Sequence, residues 1–189
     1  MTLITNADTA HVAPVTAGSH RVSIASYSRP ANTTAYAARD VVGDATTAAI
    51  EFPNCGRSGR IYRAHVGVEE DGTAVAMELY IFDEEPTNHA DNAILTLVSA
   101  DIPKLVAVFD FATADQKTLE ETNTAADGSV VYLQALEGAI GQPNAYVTDD
   151  TPASSAVSGS LFGLLVVAGA WTPTENSTKI HIKLQLQID

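Results

Sequence analysis

The side chains in this 189-residue chain best suited to nucleophilic or metal chemistry are one cysteine and five histidines. Cys55 sits in Phe52-Pro53-Asn54-Cys55-Gly56-Arg57-Ser58-Gly59-Arg60, where the flanking arginines would favour a thiolate. A nucleophile also needs a base, and no family signature places His65 or another histidine beside it. The segment therefore reads as a loop between strands holding an incidental thiol. Its two glycines and two arginines have the chemistry to cradle an anion. The Gly-x-x-x-x-Gly-Lys pattern of a phosphate loop is absent, so an ionic contact with a neighbouring subunit is the more economical reading.

His89-Ala90-Asp91, shortly after Asp83-Glu84-Glu85, offers nitrogen and oxygen ligands. Pro86, Thr87 and Asn88 make the stretch a loop without a ligand-like spacing, which favours a solvated acidic turn over a weak calcium site. His11, His20, His65, His89 and His181 are scattered, with no His-x-His or His-x-x-x-His pair, so zinc chemistry has no support. Carboxylate pairs are too abundant between residues 64 and 178 to single one out. Trp171 is the sole tryptophan and aromatics are 6% of the chain, too few for a sugar-stacking groove. Neither a Gly-x-Ser-x-Gly elbow nor a Gly-x-Gly-x-x-Gly fingerprint occurs. The expectation is a protein that is not an enzyme and holds no cofactor or metal. The remaining enzymatic alternative is a carbohydrate-active or metal-dependent enzyme on a jelly roll.

The chain's length suits one domain, at roughly 100 to 200 residues each. Hydrophobic residues at 46% and charged residues at 17% describe a packed globule with a bland surface, and a single cysteine excludes an internal disulfide framework. A net charge of -13 makes nucleic acid an unsuitable partner for the molecule as a whole. That charge is unevenly spread. All six arginines (Arg21, Arg29, Arg39, Arg57, Arg60, Arg63) lie in the first 63 residues, which carry +2, while residues 64–178 carry -16 and the remainder +1. The arginine-rich end is thus the candidate docking surface toward an acidic partner surface or a neighbouring subunit. The N-terminus lacks a basic start with an apolar run, and the longest apolar stretch, Leu161 to Trp171, is interrupted by Gly163 and Gly169. The expectation is synthesis and use without export, and no membrane partner.

These residues must be positioned by strands, because period-two alternation runs through the chain. Ile180, Ile182, Leu184, Leu186 and Ile188 alternate with polar residues, and Leu161–Val167 is apolar on both faces. The two are expected to form a terminal hairpin, with one central and one more exposed strand. A second hairpin is expected between Ile61–Val68 and Val75–Phe82 across Asp71-Gly72, and another turn at Asp127-Gly128. Further strands are expected at Arg21–Tyr27, Asp40–Val42, Ala48–Phe52, Ile94–Leu97 and Leu105–Phe111. Asp115–Glu121 suggests a turn or two of helix, and Leu133–Ile140 is either helical or extended. Gln142–Ser160 has the composition of a long surface loop. The expected fold class is all-β and antiparallel over residues 21–189, with strands at intervals typical of sandwiches and barrels, preceded by an extended arm at residues 1–20.

Three runs resemble segments of small virion proteins of tailed bacteriophages encoded near the major capsid protein. They are Arg29-Pro30-Ala31-Asn32-Thr33-Thr34-Ala35-Tyr36 through Asp44, Gly56–Ile61, and Leu79–Ala93; Phe162–Leu186 with its Trp171-Thr172-Pro173 turn is similar too. The resemblance implies an antiparallel, jelly-roll-like β-sandwich that serves as a head decoration, or cement, protein on the outer surface of the capsid, made in the host cytoplasm, with Arg21, Arg29, Arg39, Arg57, Arg60 and Arg63 toward the capsid or an adjacent copy. Its implied partners are the major capsid protein and its own copies, in a homo-oligomer such as a trimer. The alternative is a tail, collar or fibre-base component that uses the same sandwich for docking or host-surface binding.

Overall fold

The unbroken alternation at the C-terminus becomes a ten-residue strand, β11 (Lys179–Ile188), which buries Ile180, Ile182, Leu184, Leu186 and Ile188. The computed structural model describes residues 19–44, 49–69, 75–113, 117–120, 129–136, 144–147 and 159–188. β11 lies between β1 (Ser19–Ser28) and β4 (Ser58–Glu69), each antiparallel to it. The sheet continues from β4 to β8 (Ser129–Leu136) and then β7 (Lys117–Glu120), while β9 (Asn144–Val147) pairs with the first part of β4.

A second antiparallel sheet runs β2 (Val41–Val42), β10 (Leu161–Val167), β5 (Met77–Phe82), β6 (Leu105–Phe111), and β3 (Ile50–Phe52) also pairs with β10. Neither sheet closes on itself. The main core fills the space between them: Ile61, Ala64, Val66 and the inward β11 residues on one side meet Met77, Leu79, Ile81, Phe109, Phe111, Leu161 and Leu165 on the other. The chain is therefore all-β and sandwich-like, as expected. At about 25 cal/mol per Å², each such buried side chain contributes roughly 1.5 to 3 kcal/mol.

Both expected hairpins are overturned. β4 and β5 belong to opposite sheets, as do β10 and β11. Each chain segment between them crosses the sandwich, and β10 and β11 are both interior strands. β10 is apolar on both faces because Gly163, Leu165 and Val167 face the main core while Leu164 and Val166 face a second cluster with Val41, Phe82 and Leu95. That cluster is covered by the connection from β5 to β6, residues 83–101, called here the lid. Leu95 and Leu97 turn down onto the sheet from it, and Ile94 and Val98 turn out.

Ile94–Leu97 is thus alternation within a packed lid; among the described residues its one ladder contact is the bridge from Asp40 to Ile94. Asp115–Glu121 contains the strand β7 where helix was expected, and Leu133–Leu136 is extended within β8. β9 begins inside the expected loop Gln142–Ser160. The expected arm loses Ser19 and His20 to β1, and residues 1–18 lie outside the described residues, as do the Asp71-Gly72 and Asp127-Gly128 turns.

Candidate docking face

The six arginines do not form one patch. Arg29 is 2% exposed, and its guanidinium carbon lies 5.0 Å from the Tyr36 ring centroid and 4.9 Å from that of Trp171. Its Nε donates to the Tyr36 hydroxyl at 2.9 Å, and Nη1 and Nη2 donate to Thr178 Oγ1 and the Asn32 carbonyl, each at 3.4 Å. Tyr36 in turn donates to Asp91 Oδ1 at 2.7 Å, which also accepts from the Gly43 amide. Burial, then the Asp91 carboxylate, push the Tyr36 hydroxyl well above the ordinary tyrosine range. Arg29 is therefore an internal clamp with no face toward a partner, a correction to its docking assignment. Asp91 serves the same clamp, so the His89-Asp91 run is structural here. His89 itself faces the Thr87 and Thr96 carbonyls at 2.7 and 3.1 Å, within the lid. Among the described residues, no group of three or more metal-ligating side chains comes together.

Cys55 is fully buried, and its thiol donates to the Phe52 carbonyl at 3.1 Å. Burial pushes it up to about 11, so the flanking arginines do not make it a thiolate at neutral pH. Arg21 lies on the inner side of β1 and donates to the Asn54 carbonyl at 3.1 Å. Arg39 is exposed beyond the other sheet; its backbone, at φ 75°, ties β10 to the lid through Val167 and Leu95. Arg57 is exposed in the loop after β3.

Arg60 and Arg63 alone project from the outer face of the six-stranded sheet. A register shift against β11 makes Tyr62 an extra residue in β4, which turns both Tyr62 and Arg63 outward before Ala64 resumes the core. Lys183, paired with His65, and Lys179 join them from β11. Glu69, bonded to His181 at 2.7 Å, is the one carboxylate among the described side chains of this face. Burial first, then Lys183 and Arg63, hold His65 below the ordinary histidine value of 6.5. Among the described residues, Arg63 Nε and His65 Nε2 are cut off from solvent without a hydrogen-bond partner.

β1 completes the face by being inverted. It turns Arg21, Ser23, Ala25 and Tyr27 inward and leaves Val22 and Ile24 exposed at 56% and 61%. The register with β11 dictates this, because Tyr27 donates its hydroxyl to the Val42 carbonyl and Ser23 to that of Pro53, fixing the inner side. His20 packs edge-on against Tyr62, with ring centroids 5.4 Å apart. The outcome is an apolar stripe bordered by Arg60, Arg63, Lys179 and Lys183 on a chain of net charge -13. Sequence order hid it, since its cations come from two distant strands; the signal available was the period-two alternation of β1, β4 and β11, read face by face.

No family model matches the chain, and no curated protein matches it. Among the described residues, no helix is long and apolar enough to cross a membrane.

Proposed function

We propose that this chain is a capsid decoration protein of a tailed bacteriophage, which works by covering surface on the outside of the head and carries out no reaction. The observation that carries the reading is the inverted strand β1: two apolar side chains stand in solvent, flanked on one side by cations of β11 and β4, while serine and arginine turn inward. Exposed apolar surface rimmed by charge marks an interaction site, and opposing the outward pressure of packaged DNA needs buried area, not reactive groups. The reading also draws on the resemblance of Arg29–Asp44, Leu79–Ala93 and Phe162–Leu186 to tailed-phage virion proteins. These runs supply Arg29, Tyr36, Asp91 and Trp171, the members of one clamp.

The jelly-roll reading is supported by the strand orders β1-β11-β4-β8 and β2-β10-β5-β6, in which the first strand pairs with the last and successive segments cross between sheets. The segment before β1 is proposed as an extended arm that reaches a neighbour or the major capsid protein. The proposed partners are the shell and adjacent copies, and the proposed location is the outer surface of the virion.

The test is binding to undecorated heads. Charge reversal at the exposed Arg60 and Lys179, with Lys183, should lower occupancy at least tenfold, since surface reversals of this kind change association far more than folding. Wild-type occupancy by a variant with an unchanged melting temperature would overturn the proposal.

A further inference from the structure

Resting on the reading of the open sheet face as the working surface, we infer what sits on it: the lid-covered face of a second copy of this chain, in a head-to-tail contact. The two outer faces of the sandwich are complementary. The exposed large hydrophobics among the described residues are Val22, Ile24, Ile94, Val98 and Ile102. The first two stand on the open face; the other three stand on the lid and on the short 3-10 turn Ile102–Lys104 that ends it.

Their surroundings carry opposite charge. Among the described side chains, the open face presents Arg60, Arg63, Lys179 and Lys183 against Glu69. The lid side presents Asp83, Glu84 and Glu85, with Glu78 and Asp110 on the outer side of β5 and β6, against Arg39 and Lys104. Lys104 is already committed, 3.6 Å from Glu84 and donating to the Glu85 carbonyl.

Charge selects among the ways two copies can meet. Open face on open face would oppose four cations with four, and lid on lid would oppose carboxylates with carboxylates, each a repulsive arrangement. Open face on lid matches apolar with apolar and cation with anion. Such a contact is heterologous, so each copy retains one unused face and the contact repeats. The described part of this face, strands β1, β11 and β4, about 4.8 Å apart and ten to twelve residues long, spans about 500 Å², the scale of a weak, reversible contact rather than an obligate one. On a head, this contact would link neighbouring copies into a continuous cover.

The experiment uses the purified full chain without heads, so its failure is distinguishable from failure of the decoration reading. Sedimentation velocity of the wild type is expected to show species larger than dimers, growing with concentration and weakening at least tenfold between about 0.05 and 0.5 M salt, as screening of exposed charges requires. V22S/I24S blocks the open face and I94S/I102S blocks the lid; each alone should be monomeric, with an unchanged melting temperature because all four side chains are exposed. Mixed one to one, the two variants should form heterodimers and nothing larger, since each supplies one intact face. A monomeric wild type overturns the inference, as does either variant associating like the wild type or a mixture that remains monomeric.

Discussion

Arg29 and Trp171, 142 positions apart in the chain, stack with the guanidinium carbon 4.9 Å above the indole, and Tyr36 lies parallel to that indole at 5.2 Å and 21°. This triangle of two rings and a guanidinium joins the segment after β1 to the loop before β11, and the bridge between Tyr36 and Trp171 adds two backbone hydrogen bonds. Arg29→Lys keeps the charge but loses the planar fork and the stacking. It should destabilise the chain by about 2 to 4 kcal/mol, because a buried charge is left short of partners. Urea denaturation reads this directly, and an unchanged midpoint would show that the guanidinium is not held in the clamp.

Gly163 sits where β10 passes closest to the core. A Cβ there would lie 2.8 Å from Phe52 Cε2 and 3.3 Å from Leu79 Cδ1. Both neighbours belong to the packed core, so Gly163→Ala should cost about 1 to 3 kcal/mol through overpacking. A variant as stable as wild type would mean that the side chains of Phe52 and Leu79 beside Gly163 yield more easily than the packing implies.

Alkaline pH should destabilise the fold in two stages. Burial raises Cys55 from its ordinary 9.0 to about 11, and Tyr80 rises to about 12 through burial and then its bond to Glu78. Burial also lifts Tyr27 and Tyr36. Above about pH 9 the unfolded thiol ionises while the folded one keeps its proton, so stability falls by about 2 kcal/mol by pH 11. The tyrosines add to the fall from about pH 10 upward. Cys55→Ala should delay the decline to the tyrosine range; denaturation midpoints independent of pH from about 8 to 11 would contradict these placements.

His65 should couple docking to pH. In the free chain, burial, Lys183 and Arg63 favour its neutral form, so its contribution to stability is lost as pH falls below the unfolded value near 6.5. An acidic partner neutralises those two cations and makes protonation easier. Association then takes up a proton and tightens as pH falls from about 7 to about 5.5. His65→Gln, with His20 and His181 left in place, should flatten that dependence; identical pH profiles for variant and wild type would exclude His65 as its source.

Strand existence was legible in the sequence because period two is a local property. Leu105–Phe111 and the alternation of β11 emerged as expected. Pairing was not legible, since a turn and two apolar runs look alike whether the chain folds back within a sheet or crosses to the other one. Ile94–Leu97 misled for a related reason: alternation records one buried side, and a lid has one as surely as a strand does. The charge asymmetry of the sequence pointed to the arginines but followed chain order, which placed Arg29 in the docking set and left out Lys179 and Lys183. Alternation also grouped Val22 with Ile24 but could not say which way they face. Only the register with β11, held by Ser23 and Tyr27, turned them toward solvent.

The most direct measurement is an electron-microscopy reconstruction of the particle that locates this chain. The account predicts many copies on the outer shell of the head, with the side chains of Val22, Ile24, Arg60 and Lys183 covered by the lid of a neighbouring copy. Placement at the tail, or on the head with Val22 and Ile24 facing solvent, would contradict it.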